Sequence, residues 1–504
     1  MSVSEISDGI EPVFTQFFTN EQVENVVPDQ TELLLTEQMP KQHLENSSIM
    51  EYLKTECDYQ KHLQLNRINK EEQFLTMIEK LLEKDPTVLD LYAKYVTDEQ
   101  LVLLAEILPS LNISTLNLSN NTFEYTGMLA LAKALPKTQV INLELRSNSG
   151  CAIDKLFQIL PQTQIQKLDL YSFGGDSEEM SQKDFHALIT ALPESKILEL
   201  DLGCSNICDH HLIYLMMTLP ETKIQKLNLS ENNIRMEHDE LAEFFHFGIM
   251  NSDLQDLSLG GNFMGDSIAF ELAKILEFSK IQKLDLSRCG ITEKGVKQLA
   301  LTLPLSQVKE LKLGTNHLGS QGLISLSNAL PSSQVQVLNL SLDQEKFNLE
   351  SLEKFKEGIL KSKVISLSFG FNEIGTNGAR VFAEILEKGH IKTLELRCDR
   401  SIGPEGAEIL ANALKHSCLE KLYFSSNNIQ DKGCVALAEA LPFSKIKWLS
   451  LGLNGISNDS IHALIGALKT PLSFLGLEYN QSISGQSKEE LIHAAQLHGV
   501  SIEL

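Results

Sequence analysis

The chain has a single tryptophan and only 6% aromatic residues among its 504. Its hydrophobic content of 42% is nonetheless ample for a continuous core. No apolar run approaches the roughly eighteen residues that carry a helix across a bilayer, so no membrane insertion is expected. Basic residues are scarce: 43 Lys and Arg stand against 67 Asp and Glu, a net charge of −24. That balance excludes the positive surface that nucleic acid needs, and it disfavours an anionic membrane surface. The start is acidic and lacks a basic segment followed by an apolar one, so no secretory leader is expected and a cytoplasmic location is.

Chemistry is also missing. There is no phosphate-cradling G-x-x-x-x-G-K-[ST], no H-E-x-x-H, no G-x-S-x-G and no C-x-x-C pair. Eight cysteines at 57, 151, 204, 208, 289, 398, 418 and 434 form no spaced framework and read as reduced thiols. Cys204, Cys208, Asp209, His210 and His211 make the one metal-like cluster, but their spacing fits no common zinc pattern. Gly403-Pro404-Glu405-Gly406 reads as a turn into a helix. No catalytic residue, metal or cofactor is expected, and the chain is not expected to be an enzyme.

What the chain has is repetition. An L-x-L pair recurs with its first Leu at 89, 116, 143, 168, 200, 227, 257, 284, 311, 338, 367, 394, 422, 449 and 475, most often 27 residues apart. Ile502 follows 27 residues after Leu475. A period of this length marks a solenoid, in which each unit contacts mainly its neighbours. Within one unit, Leu284 and Leu286 alternate with polar residues as in a short strand with one buried face. Ile291 then turns inward, and Leu299, Ala300 and Leu303 recur at helical spacing before Pro304. Each unit thus reads as strand, turn, helix and return.

Asn121, Asn148, Asn232, Asn262, Asn316, Asn372, Asn427, Asn454 and Asn480 lie five residues after the first Leu. An amide at that place can bond the backbone of its own turn and of the adjacent unit, forming a ladder. Ser205, Cys289, Asp343 and Asp399 occupy the same place, and Phe173 breaks the pattern.

The runs LNLSENNI at 227, LKLGTNHLGSQG at 311 and LYFSSNNIQDKG at 422, at this unit length, resemble ribonuclease-inhibitor-type leucine-rich repeats. The resemblance covers about residues 86–504. It implies an α/β leucine-rich repeat solenoid (horseshoe) of about 15 repeats, with parallel strands on the concave face and helices on the convex face. The return segment L-P-x-[ST]-x-[IV] (LPKTQV at 135, LPETKI at 219, LPSSQV at 330) resembles that of repeat effectors secreted by bacteria into a host cell cytosol.

Three regions follow. Residues 1–48 hold nine acids and lack periodicity, a flexible acidic tail. Residues 49–85 read as a small helical cap, with Phe74, Ile78, Leu81 and Leu82 at helical spacing. Residues 86–504 are the solenoid. The long units from Leu168 and Leu227 carry extra residues at 174–184 and 237–253, expected to form rim loops open to secondary contacts.

Strand alternation places the residues at −1, +1 and +3 around each first Leu on the concave face. From Leu116 to Leu475 these include nine acids and seven bases, a nearly neutral face with Lys–Asp pairs in its N-terminal half. At the C-terminal end the character changes: Tyr423, Trp448 and Phe474 lie on successive strands, with Leu453 and Tyr479 at +4 and with Phe371 and Leu342 at +4 further back. Clustered exposed aromatics often anchor interfaces. Tyr423, Trp448, Phe474, Tyr479, Leu453 and Phe371 are the candidate partner-binding residues. The expected function is a monomeric, non-catalytic protein-protein interaction scaffold. The resemblance also implies two alternatives, a GTPase-activating protein of the Ran-activator type and a ribonuclease inhibitor.

Overall fold

The computed structural model describes residues 70–148, 152–173, 180–236, 239–342 and 346–504. The expected tail, most of the expected cap and residue Asp343 lie outside them. Sixteen strands, β1 (Val88–Asp90) to β16 (Ser501–Glu503), form one parallel sheet in strict chain order. Register follows the repeat: Leu284 pairs with Leu311, and Leu311 with Leu338. Helices need about twice the spacing of strands, so stacking bends the array toward the sheet, and the strand face is concave.

Each strand is only three residues long because one buried Leu suffices to seat it. In the unit at 284, Leu284, Leu286 and Ile291 are buried from the strand side. The helix Glu293–Thr302 buries Val296, Leu299 and Ala300 from the other. The proline does not simply stop the helix. It occupies the second position of a one-turn 3-10 helix, Leu303–Leu305, where its missing N–H costs nothing. The Ser or Thr after that turn is fixed by two bonds. Ser306 Oγ donates to the Leu303 carbonyl at 2.9 Å and accepts from the Val308 N–H at 3.4 Å. Thr138, Thr163, Ser195, Thr222, Ser333, Ser362, Ser417 and Ser444 repeat this geometry.

The amide ladder forms as the sequence predicts. Asn316 Nδ2 donates to the Leu313 carbonyl of its own unit at 3.0 Å and to Leu286 of the preceding unit at 2.8 Å. Its Oδ1 accepts from Cys289 and Ile291 N–H groups at 3.1 and 3.0 Å. Asn121, Asn148, Asn232, Asn262, Asn372, Asn427, Asn454 and Asn480 also bridge two units. Ser205 and Cys289 make weaker versions, with Cys289 Sγ 3.4 Å from the Leu259 carbonyl. Phe173 replaces the amide with a buried ring.

One expectation changes. The extra residues after Leu227 do not make a rim loop within 239–251; they lengthen the convex helix to Asp239–Asn251, which seats Leu241, Phe245 and Ile249 in the core. Apolar residues at helical spacing made that outcome cheaper than an exposed loop. Residues 174–179 of the other long unit lie outside the described residues. At the N-terminal end of the sheet, a helix over 70–84 places Phe74 and Ile78 in the same continuous core. Among the described residues no helix is long and apolar enough to cross a membrane.

Asn316→Ala is expected to destabilise by about 2 kcal/mol or more, because buried N–H and C=O groups lose their partners. Cys289→Asn restores the amide and is expected to stabilise by about 1 kcal/mol. Urea unfolding of both variants measures this; equal effects would sink the ladder argument. Burial pushes the Cys289 and Cys434 thiols up to about 12. Native alkylation with peptide mapping should therefore modify exposed Cys204 well before either of them.

Candidate functional site

The sheet register converts sequence positions into columns across the concave face. The −1 column over six successive strands reads Lys167, Glu199, Lys226, Asp256, Lys283 and Glu310, alternating in sign at every step. Lys226 pairs with Glu199, and Lys283 lies 3.7 Å from Glu310. The neighbouring columns join in: Lys167 to Glu144 at 2.9 Å, Arg146 to Asp169 at 2.6 Å, Lys312 to Asp285 at 3.3 Å. Exposed pairs of this kind contribute about 0–1 kcal/mol each. Asp169 is the buried partner of its pair, and its hydrogen bond with the guanidinium holds Arg146 above its usual range. Burial pushes Asp201 and Asp256 above the ordinary carboxyl range. The charges of this half are largely consumed within the molecule.

The C-terminal units differ. Strands β13 (Lys421–Tyr423), β14 (Trp448–Ser450) and β15 (Phe474–Gly476) bring Tyr423, Trp448 and Phe474 together. Trp448 and Phe474 stack at 3.7 Å with 10° between planes, and Tyr423 lies 6.2 Å from Trp448. Arg397 places its guanidinium 4.8 Å from the centre of the Tyr423 ring. The stack has a consequence that register did not reveal: Phe474 is only 8% exposed, because Trp448 covers it. Phe474 thus supports Trp448 rather than offering a free anchor. The Trp448 indole Nε1 is buried without a hydrogen-bond acceptor.

The +4 position has its own logic. It lies just before the ladder amide, where the chain must turn sharply, and its backbone is left-handed in unit after unit. The φ values include 57° at Asn120, 51° at Cys204, 56° at Arg288, 61° at Phe371, 56° at Leu453 and 60° at Tyr479. This conformation costs a non-glycine residue on the order of 1 kcal/mol. Tyr479 is 73% exposed, Leu453 56% and Phe371 46%. These side chains contribute no packing that offsets the strain. Leu453 and Tyr479 are on adjacent units, joined by the Leu453 N–H donating to the Glu478 carbonyl at 2.9 Å. Phe371 is not brought to them: the units carrying Cys398 and Ser426 intervene, about 14 Å at sheet spacing. Leu342 is buried and belongs to the core instead.

Cys208, Asp209 and His211 have structural work, while Cys204 is exposed. Cys208 caps the helix Asp209–Thr218, with its Sγ 3.4 Å from His211 Nδ1. His211 packs on Phe185 at 4.5 Å, and Asp209 accepts from the Arg235 N–H at 2.8 Å. Asp209 is one of a series that the sequence reading missed. Asp98, Asp209, Asp266 and Asp431, each nine residues after its first Leu, accept backbone N–H bonds from the next unit. The recurrence of Asp at that offset was the available signal.

Leucine-rich repeats are present in this chain: residues 110–132, 279–300 and 415–438 match the family model described as Leucine Rich repeat. No curated protein matches the sequence. Among solved structures, the chain is similar to one from the crystal structure of the Rad7 and Elc1 complex in yeast, with 17% identity over 87% of this chain and 97% of that one, at a TM-score of 0.48.

Leu453→Gly and Tyr479→Gly relieve the left-handed backbone and are expected to leave the melting temperature unchanged or higher. Phe474→Ala empties a buried site, is expected to cost about 3 kcal/mol, and should shift Trp448 emission to the red. Thermal melts and emission spectra check both; a large loss of stability in the glycine variants would give those side chains a folding role.

Proposed function

We propose that this protein is a non-catalytic scaffold that holds a protein partner against its concave face, with the contact centred on its C-terminal units. One observation carries the reading. Leu453 and Tyr479 are large, apolar and exposed at positions where the backbone favours glycine, beside the half-buried Tyr423 and Trp448. The fold does not need them there, and an interface does. The internally paired charges of the N-terminal half orient the partner rather than anchor it.

The monomer is the proposed working form, and a cytosol its proposed compartment. The return segment L-P-x-[ST]-x-[IV] no longer argues for delivery into a host cell, since its Ser or Thr has a folding role. The choice between an adaptor in its own cell and a delivered bacterial effector therefore passes to the identity of the partner. Neither GTPase activation nor ribonuclease capture is favoured by a particular residue; a basic ribonuclease would meet carboxylates already paired with Lys and Arg.

The test is affinity purification from a eukaryotic cytosolic lysate, comparing wild type with Tyr423→Ala, Leu453→Gly and Tyr479→Gly combined. A partner retained by wild type and lost by the equally stable variant is the expected result. The same partner on both baits would move the contact to the charged half.

A further inference from the structure

The concave surface at the C-terminal end is a trough with unlike walls and an acidic end. Its floor is made of small residues: Ser425 and Ser450, bonded through their hydroxyls at 2.9 Å, and Gly452 and Gly476. The stacked Trp448 and Phe474, with Tyr423, form one wall. The exposed Leu453 and Tyr479 form the other. Glu478 closes the trough. A Cβ built on either Gly452 or Gly476 would come within 3.0 Å of Glu478 Oε2, and one on Gly476 within 3.2 Å of Phe474 Cε1. The carboxylate and the aromatic wall therefore share one residue's breadth of surface.

Glu503 on β16 is the second acid. Hydrogen bonding to Glu478, with burial and the repulsion of that like charge, pushes the Glu503 carboxyl above its usual range. This contrasts with most of the paired acids of the N-terminal half. Glu144, Asp169, Glu199, Asp285 and Glu310 each meet a Lys or Arg, whereas among the described residues no cation pairs with Glu478 or Glu503. The same surface already receives one guanidinium on an aromatic ring, Arg397 on Tyr423.

We propose that the trough takes an extended segment of a protein partner that presents a lysine or arginine, the side-chain stem lying along Trp448 and the charge meeting Glu478 and Glu503. The inference rests on the scaffold reading and adds the chemistry of the partner. Charge complementarity selects the occupant: two adjacent carboxylates without a counter-ion favour a cation, and aromatic faces attract one. An acidic segment would meet like charge, and a purely apolar one would leave the carboxylates desolvated and unpaired.

The single Trp448 makes the test site-specific. A displayed library of random twelve-residue peptides is selected on the full chain. Enriched peptides are then titrated while emission is read with excitation at 295 nm. The expected result is peptides that change Trp448 emission, carry a Lys or Arg, and lose about tenfold in affinity when it becomes Gln. Glu478→Gln with Glu503→Gln should cause a similar loss at unchanged melting temperature. Peptides that change Trp448 emission yet carry no cation and ignore the Glu→Gln pair would overturn this proposal and leave the scaffold reading standing. No binders, or binders silent at Trp448, would overturn both.

Discussion

Everything in this structure depends on satisfying the backbone of the tight turns between strand and helix, which lie too close to the core for water to reach. A turn that reverses the chain every 27 residues or so buries carbonyls and N–H groups that neither strand nor helix can pair. The ladder amide resolves this at nine of the units by donating to two carbonyls and accepting from the preceding unit's backbone, as at Asn316. Because the amide bonds its own turn and the preceding unit together, the same residue that completes one turn also fixes its distance from its neighbour. The Ser or Thr after the 3-10 turn and the Asp at the helix start repeat the principle at two other corners. A unit is thus fastened to its neighbour at two places by polar groups, the amide and the Asp, while the Ser or Thr closes its own turn.

Fixed spacing is what gives the concave face its meaning. With strands in strict order and first Leu opposite first Leu, a residue's offset within its unit becomes a column on the surface, and neighbours in a column come from residues about 27 apart. The alternating Lys and acid column from Lys167 to Glu310 is neutralised across strands, which keeps that half soluble without leaving a strong field. The column from Trp448 to Phe474 is treated otherwise, with rings stacked upon each other and two acids left without cations.

The places where the units depart from fold requirements coincide. The position before the ladder amide suits Gly or Asn, and many units put a small or polar residue there, as at Asn120, Ser147, Thr315 and Ser426. Leu453 and Tyr479 keep large apolar groups on that strained backbone with little burial. In the same units the Trp448 N–H is buried and unanswered. Strain, exposed apolar area and an unsatisfied donor thus fall within the C-terminal units, the ones proposed to hold a partner.

The sequence by itself determined the architecture, because one period repeated fifteen times leaves one way to bury an L-x-L pair and a helical stripe together. It also determined the ladder, since a polar amide recurring beside apolar neighbours has few other uses, and alternation alone put Tyr423 and Trp448 on the concave side of their strands. The tertiary structure decided what alternation cannot express. Which ring covers which depends on side-chain torsions across strands, so Phe474 passed from anchor to support and Leu342 from rim to core. Whether an insertion loops out or lengthens a helix depends on the neighbouring helix offering an apolar face, as it does to Phe245. The closeness of Glu478 to Glu503 and to Gly452 is set by the stacking of successive units, a distance that no single unit's sequence contains.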